Sequence, residues 1–147
     1  MPLIARVFIK SGFIFFALAL LTGVLSESGL FSTAALMPLF WHMLTVGWIT
    51  QIIIGVSLWM FPGRPKTDDI KSNATGWITW IALNSGLVLR FTTEPFVYSV
   101  SSGWISHILV LSAILQLLAA IVYVYEMWFR VASPKQRMKQ KRNERRS

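Results

Sequence analysis

Residues 42–55 read HMLTVGWITQIIIG, and residues 107–120 return to the same outline as HILVLSAILQLLAA. His42 and His107 are the only histidines in the chain. After each come a small residue at +5 (Gly47, Ser112), Ile at +7 (Ile49, Ile114), Gln at +9 (Gln51, Gln116) and a small residue at +13 (Gly55, Ala120). Both stretches are continuous apolar runs without strict alternation, which reads as helix and not as barrel strand.

Working outward, four segments are long enough to cross a hydrocarbon core, which takes about 20 helical residues. They lie near Leu3–Leu25, Ala34–Phe61, Asn73–Arg90 and Ser101–Arg130. The expected fold is all-α: a four-span integral-membrane bundle over residues 1–132, followed by a basic tail at 133–147. With 54% hydrophobic content in 147 residues, the chain is too apolar for a soluble domain of this size. Arg6 and Lys10 precede an apolar run without a convincing cleavage site, so the first segment is read as a retained span.

The net charge of +8 is placed asymmetrically. Arg6, Lys10, Arg64, Lys66, Lys71, Arg130 and the tail fall on one side of an even-span topology, and Arg90 alone falls on the other. The positive-inside rule puts both termini in the cytoplasm, in an expected prokaryotic inner membrane. Orientation and tail contact with anionic lipid explain the basic excess, and no nucleic-acid partner is expected. Cysteine is absent, which excludes disulfides, iron–sulfur clusters and thiolate-held metals.

The second and fourth spans run in the same direction, with His42 and His107 at nearly equal depth toward the extracytoplasmic side. Two imidazoles so placed suit the axial positions of one haem b. Copper or zinc would need further ligands from water, Glu or a neighbouring subunit. The plain alternative is a pair of interfacial polar residues with no cofactor. Continuing at 3.6 residues per turn, the His42 face runs through Val46, Ile49, Ile53 and Met60. The His107 face runs through Leu111, Ile114, Leu118 and Tyr125. The opposite faces, Gly47, Gln51 and Gly55 in one helix and Ser112, Gln116, Ala119 and Ala120 in the other, suit close helix packing. Arg90 has two candidate partners, a haem propionate or Glu94. Trp41, Trp48 and Trp104 belong to an interfacial belt, compatible with packing on a porphyrin edge. Glu126 is expected to pair with Arg130 at i,i+4, with a proton relay as the alternative. Asn84 is expected to bond between helices.

Ser11-Gly12-Phe13-Ile14 and Thr75-Gly76-Trp77-Ile78 also match, so the chain reads as two tandem helical hairpins. Shared membrane composition leaves duplication and chance both open. No nucleophile elbow, phosphate loop or paired intramembrane carboxylate is visible.

The stretch Pro38-Leu39-Phe40-Trp41-His42-Met43-Leu44-Thr45-Val46-Gly47-Trp48, its continuation to Gly55 and Met60-Phe61-Pro62, and Leu87-Val88-Leu89-Arg90 with Glu94-Pro95 resemble short membrane proteins related to subunit I of haem–copper oxidases and nitric oxide reductases. The resemblance covers about half the chain. It implies a unit similar to one four-helix arc of the larger subunit, and thereby a homotrimer. It also implies that His42 can pair with a ligand from another subunit, because the family's paired axial ligands come from different arcs. The chain lacks the additional histidines of a haem–copper centre. The expected function is therefore electron transfer, or redox or gas sensing, by a membrane b-type haem protein, more readily than catalysis by a complete oxidase. The expected partners are a second or third copy of the chain and a quinone or other redox partner. The competing function is a cofactor-free scaffold or accessory subunit, or a metal site shared between protomers.

Overall fold

In a computed structural model, residues 1–29, 32–61, 69–97 and 103–131, together with Arg142, are described. They form helices and turns without strands. The four long helices are α1 (Leu3–Glu27), α2 (Thr33–Met60), α3 (Asp69–Thr93) and α4 (Gly103–Arg130). The basic tail, most of the loop after Met60, and residues 98–102 lie outside the described residues.

The boundaries follow local chemistry. α1 ends where Gly29 takes φ +72°, a left-handed conformation that glycine adopts without strain. α3 begins at Asp69 and runs to Thr93, longer at both ends than the apolar pattern predicts. A 3-10 turn, Glu94–Phe96, follows directly, with Pro95 in its first positions.

Interhelical contacts fix an up-down-up-down order. Gly23 lies near Phe40, Gly47 near Phe15 and Gly55 near Ala5, so α2 runs antiparallel to α1. Gly76 lies near Ile4 and Trp80 bonds to Ser11, so α3 runs parallel to α1. Gly86 packs on Ser112 and Gln116, and Thr75 bonds to Glu126, so α4 runs antiparallel to α3. The α1–α2 and α3–α4 hairpins are each closely packed.

α1, α2 and residues Gly103–Trp128 of α4 are long and apolar enough to cross a membrane. α3 is not among them. Several of its polar side chains face protein. Asn84 bonds to Gln51, Thr75 to Glu126, and the Thr79 hydroxyl to the carbonyl of Thr75. A helix held between others can carry such groups because each finds a partner inside the bundle.

α2 is not uniform. Met43–Thr50 is π-helical and lies between α-helical stretches Thr33–His42 and Gln51–Met60. The i→i+5 bonds of that stretch put extra residues in each turn. The buried stripe records this: Leu36, Met43, Gln51 and Leu58 are spaced seven, eight and seven residues apart. On α4 the stripe Ile105, Ser112, Ala119 and Glu126 keeps a strict seven. The extra residue in α2 falls across the π-helical stretch. The two helices therefore share a sequence outline without presenting it in the same way.

The packing faces read from the sequence are present, except that Ala120 is exposed and Ala119 takes the buried place. A Cβ on Gly47 would come within 2.7 Å of Phe15 Cβ, and one on Gly55 within 3.1 Å of the Ala5 carbonyl. Gln51 is fully buried. It accepts a bond from Ser11 Oγ at 2.5 Å and donates to Asn84 Oδ1 at 3.2 Å, joining three helices. Asn84 is thus the interhelical bonder its position suggests.

Candidate functional site

His42 sits at the junction where α2 turns from α- to π-helix. Its neighbour Met43 belongs to the buried stripe, so the ring lies at the edge of the packed face, about 30% exposed. Nδ1 is 2.8 Å from the Pro38 carbonyl and 3.1 Å from Glu94 Oε1. Both partners accept hydrogen bonds, so Nδ1 carries the proton. In the neutral ring, Nε2 is then the lone pair.

Glu94 comes from the other hairpin and is 7% exposed. The same Oε1 accepts from Arg90 Nη1 at 2.7 Å, one helical turn earlier. Arg90 therefore takes the Glu94 alternative. Burial pushes the Glu94 carboxyl up, but hydrogen bonds and charge attraction from His42 and Arg90 outweigh it and hold the group below its ordinary 4.5. Arg90 Nε and Glu94 Oε2 are buried without a hydrogen-bond partner among the described residues. The sequence pairing of Arg90 with Glu94 was legible from i,i+4 spacing. The approach of His42 to the same oxygen was not, because it crosses between hairpins.

His107 is exposed on α4, two residues past the buried Ile105, and has no hydrogen-bond partner among the described residues. Described contacts join His42 to Glu94 and Pro38, and through Glu94 to Arg90, and none joins it to His107. α2 and α4 are parallel and meet where Ser57 Oγ and Tyr123 Oη lie 2.8 Å apart, fifteen and sixteen residues beyond the respective histidines.

The apolar faces beneath the histidines point away from the core. Ile49, Ile53 and Met60 on α2, and Leu111, Ile114, Leu118 and Tyr125 on α4, are exposed. Val46 is half-buried. A shallow groove of about 420 Å³ passes Trp80, Asn84, Ser85 and Leu89 on α3. Another of about 610 Å³ lies on α4 beside Ala120, Val124 and Trp128. Neither histidine lines either groove. Trp41 and Trp104 are exposed, and Trp48 is half-buried against Phe16, with ring centroids 4.2 Å apart.

At the opposite end, Arg130 Nε donates to Glu126 Oε1 at 2.8 Å, and both residues are buried. Thr75 donates to Glu126 Oε2 at 2.9 Å. The expected i,i+4 pair is present and also ties α4 to α3.

No group of three or more His, Asp or Glu side chains able to hold a metal ion occurs among the described residues. A haem asks less of the protein, since its porphyrin supplies four nitrogens and the chain supplies only axial ligands. His42 Nε2 would suit an iron ligand, whereas Arg90 is paired with Glu94. Comparison with protein-family models, curated proteins and solved structures returns no match.

Proposed function

We propose that this chain is a small integral-membrane b-type haem protein that transfers electrons or senses redox state or gas. His42 and His107 serve as the iron ligands near the extracytoplasmic surface, from one chain or from neighbouring copies. The observation that carries the reading is the His42 ring: its Nδ1–H is committed to Glu94 and to the Pro38 carbonyl, which leaves Nε2 to a ligand. Metal-bound histidines are held in this manner, with the far ring nitrogen donating to a carboxylate or carbonyl. The resemblance of the Pro38–Trp48 and Leu87–Pro95 stretches to haem–copper oxidase subunit I points the same way.

When bound, a haem held by His42 and His107 would supply one-electron chemistry. The protein's part is to hold Nε2 toward the iron and to keep a guanidinium and Trp41, Trp48 and Trp104 at the same level. α3 completes a four-span topology with both termini in the cytoplasm, as the basic residues favour. Quinone remains the candidate redox partner, and a dimer or trimer the candidate assembly.

Purified full-length protein is expected to show a Soret band with sharp reduced α and β bands. His42→Ala and His107→Ala are each expected to abolish or change them. Haem-supplemented wild-type protein without such absorbance would overturn the reading.

A second reading is favoured by one feature. The apolar face of α4, including Ile121, Val124 and Trp128, is exposed along its length. An accessory subunit packing that face against a larger membrane complex would need no cofactor. Co-purification of a haem-free chain with a larger complex would support it.

A further inference from the structure

We propose that Glu94 is a positioning residue for the iron: it fixes the proton of His42 on Nδ1 and sets how strongly the imidazole donates charge through Nε2. The inference rests on the cytochrome reading and deepens it. Three features carry it. Glu94 Oε1 lies 3.1 Å from Nδ1 across the boundary between the two hairpins. The carboxylate is buried, so water screens its pull on the Nδ1 proton little. The same oxygen is shared with Arg90 at 2.7 Å, which draws part of its charge away from the ring.

An ion pair serving packing alone needs only Arg90, one turn away on the same helical path. The imidazole adds a second donor to an oxygen already paired, although its Nδ1–H is held at 2.8 Å by the Pro38 carbonyl. Pro95 lies in the turn that presents Glu94, and the Pro38 carbonyl holds the ring from one turn earlier in α2. The ligand thus comes from one hairpin and its carboxylate partner from the other. A carboxylate drawing on Nδ1–H makes the imidazole electron-rich, which favours ferric over ferrous iron. Arg90 moderates the effect, because it competes for the same oxygen.

The test uses full-length protein loaded with haem. Glu94→Gln keeps the side-chain volume and an accepting oxygen but removes the charge. It is expected to weaken haem retention about 10–100-fold and to move the midpoint potential to more positive values. Glu94→Asp is expected to restore part of both. Arg90→Gln is expected to move the potential the opposite way, because the whole carboxylate charge then acts on His42. Loss of a merely structural ion pair would move both variants in the same direction. Nitrogen NMR of histidine-labelled, haem-free wild type is expected to show the Nδ1–H tautomer at His42, a readout independent of iron and of variant folding. An unmoved potential in Glu94→Gln, or an Nε2–H tautomer in the wild type, overturns this inference alone. Wild-type protein that takes up no haem overturns it together with the parent reading.

Discussion

The two histidines differ in what their removal costs. His42 joins a carboxylate and a backbone carbonyl from separate hairpins, whereas His107 has no such partner among the described residues. In haem-free protein, His42→Ala is expected to destabilise by about 1–3 kcal/mol, because it leaves buried Glu94 short of a donor. His107→Ala is expected to fall within about 0.5 kcal/mol of wild type. Detergent unfolding of both variants checks this, and equal losses would contradict it. Glu94 adds a pH dependence. Its folded pKa is depressed below 4.5, so the unfolded chain binds its proton first as pH falls. The stabilisation is present above the unfolded value and is lost as pH drops through the folded one. Thermal scans from neutral to acid pH are expected to lose stability in that window, and Glu94→Gln is expected to flatten part of the loss. At this scale the sequence revealed that Arg90 and Glu94 are one turn apart. It could not reveal that His42 meets Glu94, since that contact depends on how two hairpins dock.

Among the elements, α2 departs most from its sequence pattern. A uniform 3.6-residue period extends the His42 face straight down the helix, but the π-helical stretch inserts a residue into the buried stripe between Met43 and Gln51. Pro38, without an amide proton, already interrupts the bonding one turn earlier. Hydroxyls add bonds to carbonyls in and just before the stretch: Thr45 Oγ1 donates to the Trp41 carbonyl at 2.7 Å and Thr50 Oγ1 to the Thr45 carbonyl at 2.9 Å. Neither Pro38 nor the threonines alone would reveal such a stretch, because both also occur in regular membrane helices. The small-residue faces, by contrast, were legible, since close approach needs Gly or Ala whatever the partner. Gly86→Ala is expected to cost about 1–3 kcal/mol, because its methyl would lie 2.9 Å from Gln116 Cγ and 3.0 Å from the Ser112 carbonyl. Gly103→Ala, which meets nothing within 4 Å, is expected to be neutral. Reversible unfolding in mixed micelles separates the two, and a neutral Gly86→Ala would contradict the tight α3–α4 contact.

For the whole molecule, hydropathy and helical period were enough to place four helices, because lipid demands long apolar segments with internally satisfied backbones. They were less decisive for α3, whose polar residues bond to α1, α2 and α4. Both hairpins are antiparallel, yet the matching glycines of the two sequence outlines have different neighbours. Gly12 packs on Ile52 within its hairpin, and Gly76 packs on Ile4 across to the other. Single-cysteine labelling in this cysteine-free chain is expected to place the tail and residue Lys10 on the cytoplasmic side and Gly103 on the opposite side. Labelling of Gly103 from the cytoplasm would contradict the four-span topology. The account as a whole turns on two imidazoles at one level on parallel helices. The most direct measurement is the electron paramagnetic resonance spectrum of ferric, haem-loaded wild-type protein. A low-spin signal of the bis-imidazole kind, lost in both His42→Ala and His107→Ala, is the expected result. A high-spin five-coordinate signal, a low-spin signal that survives either substitution, or no bound haem would contradict it.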